Sequence, residues 1–151
     1  MSLTKAALHF AVPLPKLESF KRYLFIGPHP DDIEIGAGAL AAKLAAAAER
    51  DSIAADGEDL CFVNVSVHDA DGQLVPRAKM RIDFAVEGPG EIVATDNGDE
   101  TDFDDFRKPT RRAFNGWAQA IVRARAGQPG TIRVTAKGEG LAPAVVTVKV
   151  R

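Results

Sequence analysis

From residue 51 to the end of the chain, apolar and polar residues alternate in short runs. In the run 61–69, Cys61, Val63, Val65 and Val67 alternate with Asn64, Ser66 and His68. A period of two puts the first set on one face of a β-strand and the second on the other, so that one face is buried and one is wet. The pair Asp71-Gly72 then marks a tight hairpin turn. Residues 81–88 alternate again, with Ile82, Phe84 and Val86 inward, and the Gly88-Pro89-Gly90 break separates them from a short strand in "EIVATDN". The runs 116–127, 131–138 and 144–150 complete the series. Ile132, Val134 and Ala136 line one face of the second of these, and Val146, Val148 and Val150 one face of the third. Residues 51–57 supply a first strand ahead of them. The chain before residue 51 has another character. "KRYLFIG" (21–27) is a short apolar run that suits a buried strand, and "GALAAKLAAAAER" (38–50) has the alanine, leucine, lysine and glutamate of a good helix.

Roughly seven short strands, punctuated by Gly, Pro and Asp turns, predict a mainly β fold: an immunoglobulin-like antiparallel β-sandwich over residues 49–151. The alternation fixes register, because a slip of one residue would turn each core face to solvent. Residues 1–48 predict a strand–helix segment of α/β type. This is half of a βαβ unit and too short for a doubly wound domain of its own. It has to dock on the sandwich, self-associate or remain poorly ordered.

The chain has 151 residues, 46% of them hydrophobic and 26% charged, which are the proportions of a globular protein and not of a disordered one. A net charge of −2 provides no field to attract nucleic acid or an anionic membrane. One cysteine, Cys61, excludes an intramolecular disulfide. Its place among the valines of its run makes it a buried small hydrophobe. The first residues, "MSLTKAALHFAVPLPKLESFKR", make a poor signal peptide, so the expected location of the chain as written is the cytoplasm.

Candidate chemistry is densest at "PHPDDIEIG" (28–36), where His29, Asp31 and Asp32 follow the apolar run 21–27. Imidazole and carboxylate this close together suggest a metal centre. At "GPHPDDIEIGAGALAAKLA" the chain resembles the PIG-L/LmbE family of zinc-dependent N-acetylglucosaminyl deacetylases, over about residues 20–48. The resemblance implies that His29 and Asp32 are zinc ligands and that Asp31 is the base activating the zinc-bound water. It also implies a third histidine ligand from a later segment, and the chain offers only His9 and His68, neither in such a context. Zinc is the ion this motif would take; no cofactor is expected of the sandwich. The acidic stretch "DNGDETDFDD" (96–105) is followed at once by Arg107, Lys108, Arg111 and Arg112, which predicts a self-paired solvated loop in preference to a calcium site. Phe103, Phe106, Phe114 and Trp117 lie close by in sequence, as a cover for one end of the sandwich or as a platform for a sugar.

The second half resembles the C-terminal immunoglobulin-like domain of glycoside hydrolase family 2 enzymes of the β-galactosidase type. The residues that carry this are "IAADGEDLCFVNVSVHDADGQLVPRA" (53–78), "VEGPGEIVATDNGDETD" (86–102), "RRAFNGWAQAIVRA" (111–124) and "GQPGTIRVTAKGEGL" (127–141). The resemblance implies an accessory domain whose catalytic carboxylates sit in a separate barrel. The expectation is a non-catalytic module, structural or glycan-contacting, whose partner is a neighbouring catalytic domain, a second copy or a glycan. One alternative is a zinc-dependent deacetylase or its metal-binding remnant. Another, prompted by the abrupt join inside an alanine-rich helix, is a fused or engineered chain without selected activity.

Overall fold

The computed structural model describes residues 41–151. Among these, nine strands form two sheets: β1 (Ala41–Ala48), β2 (Ser52–Ile53), β3 (Leu60–Asp69), β4 (Arg81–Glu87), β5 (Gly90–Asp96), β6 (Thr110–Arg112), β7 (Trp117–Ala124), β8 (Gly130–Gly138) and β9 (Ala144–Val150). One sheet has the order β1-β3-β7-β5 and the other β2-β9-β8-β4-β6. The expected β-sandwich is therefore present, and the alternation that predicted it is what closes it. Cys61, Val63, Val65 and Val67 on β3 meet Ala118, Ala120 and Val122 on β7, Ile132 and Val134 on β8, Ile82 on β4 and Val148 on β9 in one buried cluster. Each fully buried valine or isoleucine contributes about 1.5–3 kcal/mol relative to exposure. Burial also pushes the Cys61 thiol up, away from reactivity.

Several expectations are corrected. The helix assigned to residues 38–50 is a strand over Ala41–Ala48, paired antiparallel with β3 from Ala41↔Asp69 to Ala48↔Val63. Helix preference separates alanine from ordinary residues by less than about 1 kcal/mol each, and a lone helix of about 12 residues is marginal in water. β3 offers the same segment a row of backbone partners and a buried seat for Leu44, flanked by exposed Lys43 and Ala45. β6 is a second strand that the periodicity does not show, because three residues are too few to alternate visibly. The sandwich is not wholly antiparallel, since β2 runs parallel to β9. The Asp71-Gly72 turn forms, with Gly72 N–H donating to the Asp69 carbonyl at 3.2 Å. It does not join two sheet partners, however: past the His68↔Leu74 bridge the chain crosses to β4 in the opposite sheet. The strand expected over 21–27 lies outside the described residues.

The chain changes sheets between β4 and β5 at Gly88-Pro89. Gly88 has φ +95°, and a Cβ there would collide with the Thr131 carbonyl oxygen, so no other residue fits this corner.

Candidate functional site

The exposed face of the β1-β3-β7-β5 sheet is shaped by two local devices. The first is the Asn115-Gly116 turn. Asn115 (φ 51°) and Gly116 (φ 81°) both sit in the left-handed region, and Phe114 and Trp117 exchange backbone hydrogen bonds of 2.8 and 2.9 Å across them. This is a two-residue turn of the primed type, for which Asn-Gly is the preferred pair. It starts β7 with Trp117 on the outer face, where the residue remains 45% exposed.

The second device is a bulge in β5. Gly90, Glu91 and Ile92 pair with Ala124, Arg123 and Val122, but the register then shifts and Ala94, Thr95 and Asp96 face Ile121, Ala120 and Gln119. One extra residue inverts which side chains point inward. Thr95 is thereby turned into the core, fully buried, and Asp96 is turned outward.

Asn64, Gln119 and Asp96 consequently form one cross-strand row, with Trp117 two residues ahead of Gln119 on the same face. Together with Asn97, Gly98 and Ala118 they line an open cleft of about 300 Å³. Gln119 Nε2 donates to Asn64 Oδ1 at 2.7 Å, which fixes both carboxamides. Asp96 Oδ1 accepts the N–H groups of Asn97 and Gly98 at 2.7 and 3.2 Å. Gln119 Oε1, Asn64 Nδ2 and Asp96 Oδ2 have no hydrogen bond among the described residues.

The wall beyond Asp96 is the loop between β5 and β6, and a buried arginine holds it. The Arg111 side chain is fully buried; Nε donates to Thr95 Oγ1 at 3.3 Å and Nη2 to Thr95 O at 3.0 Å. Its Nη1 donates to Asp102 Oδ2 at 3.1 Å and to Asp104 O at 3.2 Å, and the guanidinium lies 4.7 Å from the centroid of the Phe106 ring. Asn97 Nδ2 ties the same loop to Asp102 at 2.9 Å and to Arg112 O at 3.0 Å. The acidic stretch is thus paired internally, as its charge pattern predicts, with Asp105 also bound to Arg107. The backbone N–H of Asp104, then Arg111 and Asn97, holds the Asp102 carboxyl below the usual carboxylate range.

The four aromatic residues are not one platform. Phe106 packs on Arg111, Phe103 is 94% exposed, and Trp117 alone among them lines the cleft. His68 is occupied: Nδ1 donates to the Gly72 carbonyl at 2.9 Å and Nε2 accepts from Ser66 Oγ at 2.8 Å. Among the described residues no three His, Cys, Asp or Glu side chains are placed to hold a metal. His29, Asp31 and Asp32, the residues singled out for metal and base, lie outside the described residues, as does His9. Periodicity did not single out Asn64, Asp96, Gln119 or Arg111. The Asn115-Gly116 pair, a strong hairpin signal in the sequence itself, marks where the cleft begins.

Residues 44–147 match the family model described as glycoside hydrolase family 2 C-terminal domain 5. The chain belongs to this family. The match runs from β1 into β9 and so takes in most of both sheets. This C-terminal domain 5 chain is 39% identical over 100 residues to the β-galactosidase BoGH2A of Bacteroides ovatus, covering 66% of the chain and 12% of that enzyme. A glycosyl hydrolase family 2 member from Bacteroides cellulosilyticus superposes with a TM-score of 0.70 at 28% identity, over 74% of the chain and 14% of its own. A family 2 β-glucuronidase superposes with a TM-score of 0.66 at 26% identity, over 74% of the chain and 12% of its own. The C-terminal domain 5 chain therefore spans about an eighth of the enzymes it matches. The likeness of residues 20–48 to zinc deacetylases finds no support in these matches.

Proposed function

We propose that the chain is a non-catalytic C-terminal module of a larger β-galactosidase-type enzyme, packed beside the domain that carries the hydrolytic carboxylates. The observation that carries this is the family match across residues 44–147, in a chain that covers only 12% of the β-galactosidase it resembles. The carboxylates support it. Glycoside cleavage uses two carboxyl groups about 5–9.5 Å apart on either side of a sugar. The cleft has one, Asp96. Asp59, Glu91, Asp102 and Asp105 are each engaged by an arginine: Arg50, Arg123, Arg111 and Arg107.

The test is a domain exchange. The Bacteroides ovatus β-galactosidase with its matching segment replaced by residues 44–147 is expected to keep hydrolysing a nitrophenyl β-galactoside, whereas deletion of that segment lowers its melting temperature. The chain by itself should give no hydrolysis above buffer. Turnover by the chain that disappears in Asp96→Asn, or a deleted enzyme as stable as the intact one, would overturn the proposal.

A further inference from the structure

We infer that the cleft around Trp117 is a binding site for a neutral pyranose sugar. The inference rests on the cleft alone and does not need the accessory role proposed above. A pyranose presents a flat patch of C–H groups on one side and a rim of hydroxyls, each a donor and an acceptor. The cleft presents the complement. Trp117, a large apolar residue still nearly half exposed, lines a cleft whose other wide side chains, Asn64, Asp96, Asn97 and Gln119, are polar. Next to it stand unused hydrogen-bonding atoms of both kinds: the Asn64 Nδ2 donor and the Gln119 Oε1 and Asp96 Oδ2 acceptors. A planar carboxamide or carboxylate beside an apolar wall is the arrangement that orients a small polar ligand. The volume, about 300 Å³, is at the lower end for small-molecule sites and suits one or two sugar units.

The groups are also held in advance. Trp117 follows a rigid two-residue turn that is bonded to β3 through Val67 N–H and Gly116 O at 2.9 Å. The Asn64–Gln119 bond fixes the carboxamides, and the bulge fixes the outward turn of Asp96. Little ordering is left for binding to impose.

Charge selects the ligand class. Asp96 is the single ionisable residue lining the cleft. A uronate or sulfated sugar would bring a like charge against it. A simple ammonium ligand would be attracted by Asp96 and the indole face, but it would leave both carboxamides unsatisfied, so a polyhydroxyl ligand fits better.

The chain has one tryptophan, so its fluorescence and its indole N–H resonance report on this cleft alone. The experiment titrates the 151-residue chain with lactose and cellobiose, and with glucuronic acid and choline as controls. Saturable shifts of the Trp117 indole and of the Asn64 and Gln119 side-chain amides are expected with a neutral sugar, and at least tenfold weaker binding of glucuronic acid. Gln119→Ala and Trp117→Phe should each weaken binding several-fold in a protein that still shows native amide dispersion. Asp96→Asn, which keeps the Oδ1 acceptor for the turn, should narrow the gap between glucuronic acid and lactose. The inference is overturned by no saturable response to either neutral sugar, which would leave this face to a neighbouring domain. It is overturned equally by glucuronic acid or choline binding as tightly, or by binding that survives both Gln119→Ala and Trp117→Phe unchanged.

Discussion

Arg111 is a cation with no exposed side-chain surface, and its surroundings explain how that is tolerated. Thr95, Asp102 and Asp104 take up its N–H groups, and the Phe106 ring covers its face. Thr95 is available because the bulge turns it inward, and its hydroxyl is itself satisfied by donating to Lys108 O at 2.9 Å. Guanidinium, not ammonium, suits this place, since several fixed donors are used in different directions. Arg111→Ala would leave the Asp102 carboxylate and two backbone carbonyls without their partner in a part-buried site. Breaking a buried pair in this way typically costs about 3–5 kcal/mol. Chemical denaturation should show that loss, with the β5–β6 loop gaining the fastest amide exchange. A variant within 1 kcal/mol of the parent, roughly the size of a surface pair, would show that the arginine is not what holds the loop.

Among the elements, those with a clean alternation were legible in the sequence and those shaped by backbone partners were not. β3, β4, β8 and β9 follow their valine, isoleucine and phenylalanine patterns closely. β1 is hidden, because a run of alanines carries no alternation and its composition points to a helix. Its conformation is decided by the open edge of β3, a non-local cause. The cleft was legible only at Trp117. Asn64 reads as the wet face of its strand, Gln119 is given no face, and Asp96 reads correctly only once the bulge is known. β1 yields a direct prediction. A chain beginning at residue 41 should unfold in one cooperative transition at the stability of the full sandwich. A chain beginning at residue 50 loses the Leu44 contacts and bares the β3 edge, so it should be less stable by at least the ~2–5 kcal/mol of a buried leucine and prone to self-association. Equal stability and solubility of the two would mean that β1 is dispensable.

At the scale of the whole molecule, loops rather than the core set the response to acid. Asp56 and Asp59 in the β2–β3 loop, and Asp102 and Asp105 in the β5–β6 loop, all have carboxyls lowered mainly by backbone N–H donors. A carboxyl with a depressed folded-state pKa contributes stability that is complete above its unfolded value, about pH 3.9, and is lost as pH falls through the folded value. Stability should therefore be flat from neutral pH down to about 4 with respect to these groups and decline below it. Asp102→Asn should lower the plateau and make the decline shallower in pH-resolved thermal melts. An acid limb as steep in that variant as in the parent would assign the response to other groups. These loops close the ends of the sandwich, while the sheets contribute the apolar cluster between them. A module of this kind can keep its core constant while its loops adapt to a neighbouring surface.

The bulge at Ile92–Ala94 has a consequence beyond the cleft. It acts on a strand as a frameshift acts on a message: the letters downstream are unchanged, but they are read in the other frame. Upstream of it, β5 presents Glu91 to the surface; downstream, the same strand delivers Thr95 to Arg111 and Asp96 to solvent. A straight ladder that paired Val93 with Ile121, with every residue kept and no bulge, would hold the strand in the first frame. It would carry a carboxylate to the arginine and a hydroxyl to the cleft, exchanging the inner and outer vocabulary of the strand without altering either residue.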